Sequence, residues 1–226
     1  MRIIEPYITL EDNIDGKEIL EKIERIGRVC YKSENNIKEG SAEKFVSNIL
    51  HRHHESVIEH VTISVRVICD RGVSHEIVRH RLASYSQESS RYCNYSNDKF
   101  GNELTFIKPC WFKSSAEDLN EFYNTMTYKS RKKLTEDELD WLDLLMDIEN
   151  KYFILINEDK WAPEQARSIL PNSIKTEIVM TMNLREWRHF FNMRCSVAAH
   201  PQMREIADMI LKEFKAKIPI IFDDIK

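Results

Sequence analysis

Ile174-Lys175-Thr176-Glu177-Ile178-Val179-Met180-Thr181-Met182 runs straight into Asn183-Leu184-Arg185-Glu186, and this junction decides the fold class. The first nine residues alternate apolar and polar side chains, the period of a half-buried strand. Asn183 then suits a helix cap, and Leu184, Trp187 and Phe191 recur at helical spacing on one side. Working outward, Val61-Thr62-Ile63-Ser64-Val65-Arg66-Val67 alternates in the same way. Around these strands the pattern is helical. Ile19, Leu20, Ile23, Ile26 and Cys30 predict a helix near residues 16–31, and a second runs from Ser41 to about Arg52. After a break at Gly72, the spacing of Val73, Ile77 and Leu82 predicts a helix carrying Arg79-His80-Arg81 near its C-terminal end. Ser114–Glu117 and Thr135–Glu138 read as capping boxes, with the basic stretch Lys129–Lys133 a solvated connection between them. Pro163 opens a short helix, Glu164–Leu170, that Pro171 stops, and Met203–Phe214 forms a final amphipathic helix. Strands and helices follow no βαβ rhythm. The expected fold is therefore α+β, an antiparallel twisted sheet flanked by helices. One domain spans residues 1–226, with a helical elaboration at about residues 112–158.

The 226 residues are 42% hydrophobic and 31% charged, with a net charge of −4. A core is affordable, and no general basic field for nucleic acid exists. Five cysteines (Cys30, Cys69, Cys93, Cys110, Cys195) without a C-x-x-C spacing argue against a disulfide framework or a structural zinc. With a charged start lacking a hydrophobic leader, they point to a reduced, cytoplasmic protein. No apolar run reaches membrane-spanning length. Neither G-x-G-x-x-G nor a P-loop is present, so any dinucleotide is held without a Rossmann turn.

The densest chemistry lies in Arg79-His80-Arg81-Leu82-Ala83-Ser84-Tyr85-Ser86-Gln87-Glu88-Ser89-Ser90-Arg91. Guanidinium forks and hydroxyls at this density suit a phosphate dianion and the oxygens of a pyrimidine or flavin; a solvated, charged helix end is the plain alternative. The spacing Arg-His-Arg, seven residues, then Ser89-x-Arg91 resembles the signature of the flavin-dependent thymidylate synthases. Further family features occur in order from about His54 to Glu205.

That resemblance implies reductive methylation of deoxyuridylate (dUMP) to dTMP. FAD supplies the hydride, 5,10-methylenetetrahydrofolate the carbon, and NADPH the reducing power, with no cysteine nucleophile and no metal. Arg194 takes the position whose guanidinium polarises the uracil; from the residues alone it reads first as a surface cation complementing a helix end, and the resemblance reverses that order. Ser89, Ser90 and Arg91 correspond to the phosphate and sugar clamp. Arg167 joins them through Ala166-Arg167-Ser168-Ile169-Leu170-Pro171, which is similar to the family's Ala-Arg-x-x-Leu-Pro segment. Glu76 matches a nucleotide-contacting position, with an i,i+3 ion pair to Arg79 as the alternative. Arg79, His80 and Arg81 are implied for FAD, with Arg79 also at the nucleotide. Ser56, in His54-Glu55-Ser56-Val57-Ile58-Glu59-His60, is implied for FAD, and His54 for a folate or reductant route. Asn183, Arg185 and His189 match the FAD-binding helix. Gln87 stands where the family has a carboxylate and is assigned to both FAD and nucleotide, with Glu88 beside it on the nucleotide. His200-Pro201-Gln202-Met203-Arg204-Glu205-Ile206 departs in spacing from the family's Ala-Gln-Trp-Glu-Ile. The resemblance also implies a homotetramer with shared active sites, Arg79–Arg91 and Arg194 of one site coming from different chains.

Two other readings compete. His51, His53, His54, Glu55, Glu59 and His60 could ligate a divalent ion, although no H-E-x-x-H spacing occurs and the nearby arginines repel a cation. A nucleotide-binding module without turnover would use the same arginines.

Overall fold

A computed structural model describes residues 1–225. The elements are β1 (Arg2–Ile4), β2 (Tyr7–Leu10), α1 (Gly16–Val29), α2 (Ser41–His51), β3 (Thr62–Asp70), α3 (Arg71–Ile77), β4 (Ala83–Gln87), β5 (Thr105–Ile107), α4 (Ala116–Thr125), α5 (Tyr128–Arg131), α6 (Glu136–Asn157), α7 (Pro163–Ala166), β6 (Lys175–Asn183), α8 (Leu184–Arg194), α9 (Pro201–Lys217) and α10 (Pro219–Phe222). A short 3-10 turn, Glu55–His60, precedes β3. The class is α+β: an antiparallel sheet in the order β2-β3-β6-β4, flanked by helices. β1 and β5 form a separate parallel pair.

The strands at β3 and β6 follow the alternation of the sequence, and burial along β6 strictly alternates. Contacts divide the chain into two compact units. One comprises Met1–Tyr7, Ile68–Ile77 and Gln87–Ile178. Its buried cluster joins Ile3, Phe106 and Ile174 to Leu119 of α4 and to Leu139, Leu142, Leu145 and Tyr152 of α6. The Thr135 capping box is present, with Glu138 accepting from Thr135 N at 2.9 Å.

The other unit holds Ile8–Val67, Val78–Ser86 and the chain from Val179 onward. Its centre is aromatic: Trp187, Phe190 and Phe191 of α8 pack edge or face on one another and on Phe214 of α9. Each such ring buried contributes about 1.5–3 kcal/mol. The Trp187 indole donates to the carbonyl of Ile63 at 3.1 Å, tying α8 to β3. Gly27 lets α1 approach α2, since a β-carbon there would lie 2.7 Å from the Phe45 ring.

Three local expectations need correction. α3 ends at Ile77, so Arg79-His80-Arg81 lies in the connection to β4 and not on a helix, and Glu76 and Arg79 do not share a helical face. The cap of α4 is Ser115, one residue after the expected Ser114. The basic connection contains the short helix α5, capped by Thr127. Among the described residues no helix is long and apolar enough to cross a membrane.

Candidate functional site

Asn183 Oδ1 accepts from Glu186 N at 2.8 Å and starts α8. This cap sets the phase of the helix: Trp187 and Phe191 enter the aromatic core, while Glu186, His189 and Arg194 face other surroundings. Glu186 and His189 meet His80. That imidazole is only 5% exposed, with its ring centre 4.9 Å from that of Phe190 and 5.9 Å from that of His189, both edge-on. Its Nε2 accepts from Arg194 Nε at 3.0 Å. Its Nδ1 lies 3.5 Å from Glu186 Oε1. The Tyr85 hydroxyl donates to the His80 carbonyl at 2.6 Å. Burial, then the Arg194 cation, then His189 push the His80 pKa down to about 4, so the ring is neutral at physiological pH. Burial raises that of Glu186.

A cavity of about 660 Å³ opens beside this group, lined in part by Leu82, Asn183, Arg185, His189 and Asn192. Its size is that of a cofactor pocket. Arg185 pairs there with Glu59 at 2.6 Å, and Arg188 is held by Asp224 at 2.7 Å and Glu55 at 3.3 Å. Arg79 and Arg81 are exposed. Ser56 lies elsewhere, with His54, Tyr31 and Phe45 around a smaller cavity of about 350 Å³.

The other predicted residues form a group in the first unit. Arg167 Nη1 reaches Ser90 Oγ at 3.5 Å across 77 positions of sequence. Arg91 forms a half-exposed ion pair with Glu164 at 3.5 Å. Ser89 builds the turn after β4, its carbonyl accepting from the backbones of Tyr92 and Cys93 at 3.0 Å each. Gln87 Nε2 donates to Ser74 Oγ at 2.9 Å and Thr176 Oγ1 at 3.2 Å. Glu88 pairs with Lys175 at 2.6 Å and accepts from the Tyr95 hydroxyl at 2.9 Å. Glu76 is half-buried on α3.

A family model described as thymidylate synthase complementing protein matches residues 12–220. The chain is 34% identical over 201 residues to a flavin-dependent thymidylate synthase of Pyrococcus furiosus, covering 88% of this chain and 71% of the relative. It is 33% identical to one of Corynebacterium aurimucosum, with 89% and 78% covered, and 32% identical to one of Mycobacterium sp. (strain JLS), with 98% and 85% covered. The chain belongs to the flavin-dependent thymidylate synthase family.

Membership in this family of enzymes gives Glu186 an interest that sequence reasoning missed. The pattern Asn183-x-x-Glu186 reads as a capping motif, and the backbone of Glu186 does serve the cap. Its side chain instead turns to His80, a partner 106 positions away that no local pattern announces. Lys175 was equally hidden, as a polar position of a strand alternation. Among the described residues, the grouping with metal-ligand proximity is His80, Glu186 and His189, within 4.8 Å of one another, and not the His51–His60 set. Arg194 already occupies the His80 Nε2 lone pair and sets a cation beside it. Glu55 and Glu59 of the other set are ion-paired with arginines of α8.

Proposed function

We propose that this flavin-dependent thymidylate synthase family member converts dUMP to dTMP, with 5,10-methylenetetrahydrofolate as carbon donor and NADPH as reductant. FAD, when bound, supplies the hydride that completes the methyl group. The observation that carries the reading is the 3.0 Å contact of Arg194 with His80, which joins the proposed polarising guanidinium to the signature triplet.

The larger cavity suits FAD chemically. Arg185, Asn183, Asn192 and His189 offer donors for phosphate and ring oxygens, and Leu82, 73% exposed, offers apolar surface. Arg79 and Arg81 add cations to this assignment; Ser56, on the smaller cavity, joins it from the position next to Glu55, which lines the larger one. His54 belongs to the folate or reductant route. Arg194, a permanent cation, stabilises negative charge developing on the uracil as C5 becomes nucleophilic. Ser89, Ser90, Arg91 and Arg167 bind the phosphate, and Glu76, Gln87 and Glu88 flank the nucleotide. No cysteine attack is required. Burial raises the thiol pKa of Cys69, Cys93 and Cys195, the last to about 12, which opposes a thiolate at each.

We assign a homotetramer with shared active sites; the Arg194–His80 contact within one chain limits the sharing expected between Arg79–Arg91 and Arg194 to the phosphate group at Ser89–Arg91, supplied by another subunit. Met193 and Val197 flank Arg194 at 49% and 88% exposure, apolar surface that a second copy would cover. Five unbridged cysteines support cytoplasmic placement. The test supplies purified protein with FAD, dUMP, methylenetetrahydrofolate and NADPH. The expected result is dTMP, with anaerobic flavin bleaching by NADPH that dUMP accelerates. Tight dUMP binding without dTMP or NADPH consumption would establish a binding module instead.

A further inference from the structure

We infer that His80 and Glu186 are positioning residues for Arg194: the imidazole, in its Nδ1–H form above the Glu186 carboxylate, anchors Arg194 Nε and so sets the plane of the guanidinium. The inference rests on the assignment of Arg194 to the pyrimidine.

The tautomer follows from what each group can donate or accept. A guanidinium carries only donors, so the Nε2 of His80 must accept in the 3.0 Å contact. An accepting Nε2 has no hydrogen. A neutral ring then carries its proton on Nδ1, which lies 3.5 Å from Glu186 Oε1. That distance is long for a hydrogen bond, yet the carboxylate's charge favours a proton on the nearer nitrogen. The opposite tautomer would set N–H against N–H at Arg194.

The ring cannot easily turn away. Phe190 packs on it at 4.9 Å, and the Tyr85 hydroxyl holds its carbonyl at 2.6 Å. Both His80 and Glu186 are buried, at 5% and 8% exposure. Arginine has several rotatable bonds, and its Nε–H lies in the guanidinium plane. Fixing Nε therefore fixes the direction in which the Nη groups fan out. This contact uses Nε alone and leaves the Nη groups to other partners. Orientation of this kind is worth much in rate, since a displacement of about 1 Å can cost about 10²-fold.

The experiment has two independent readouts. The first is the tautomer of His80, read from nitrogen NMR of [15N]histidine-labelled protein. Wild type should show a protonated Nδ1 and a bare Nε2, and Glu186→Leu should mix the two forms. The second is steady-state kinetics per bound flavin. His80→Leu should lower kcat per bound flavin by about 10²-fold, and His80→Gln, whose amide oxygen can accept near the Nε2 position, should recover most of it. A protonated Nε2 in wild type overturns the inference, and so does wild-type kcat in both Glu186→Leu and His80→Leu. A bare Nε2 in a protein that never forms dTMP overturns the functional reading and leaves the anchoring of Arg194 standing.

Discussion

Acidification should destabilise this protein through His80, and glutamine at that position should remove the effect. Folding takes the imidazole from an ordinary pKa of 6.5 to about 4, because burial and the neighbouring Arg194 cation both oppose its protonation. Between those two values the unfolded chain binds a proton that the folded one refuses. Stability therefore falls as pH falls through this window, and the loss is complete only below the folded value. At 1.36 kcal/mol per unit the full shift amounts to about 3 kcal/mol, of which about 2 kcal/mol is lost by about pH 5. That is a large part of an ordinary folding free energy. The assay is urea unfolding followed by tryptophan fluorescence, at several pH values from neutral to mildly acidic, for wild type and His80→Gln. Gln87, Arg194 and every carboxylate remain in both proteins, so the difference between the two curves isolates His80. The wild-type curve should drop toward that of the variant and cross or approach it as pH falls. Parallel curves from neutral pH down to about pH 5 would refute the reasoning, because they would mean that His80 titrates normally in the folded state.

Arg194→Ala should lower kcat by about 10²–10³-fold while FAD content is unchanged, as measured by dTMP formation and flavin absorbance. Glu164→Gln removes the half-exposed partner of Arg91, so dUMP affinity measured by calorimetry should rise by up to about fivefold, the worth of a surface ion pair. Gln87→Glu replaces an amide that donates to both Ser74 and Thr176 with a group that can only accept. Both hydroxyls would have to turn, and urea unfolding should show a loss of about 1–2 kcal/mol.

The difference between what could and could not be read from sequence follows the range of the forces involved. β3, β6 and the start of α8 were readable because alternation and capping act over a few residues: Thr176, Ile178, Met180 and Met182 all face inward, and Asn183 bonds the backbone three positions on. β4 was not, because Ala83–Gln87 offers mostly small or polar side chains and is a strand by virtue of its place beside β6. His80 was the hardest case. An imidazole between two arginines reads as surface, and the helical spacing of Val73, Ile77 and Leu82 carries it onto a helix. In the folded chain α3 stops at Ile77, Leu82 stays exposed and the ring turns inward. The interactions that reward this burial come from Phe190, Glu186 and Arg194, more than a hundred positions downstream. The neutral ring accepts the guanidinium N–H without penalty, but it cannot take a proton there, and that makes the fold acid-sensitive. Such a liability is what one expects where side chains are held for chemistry and not for packing.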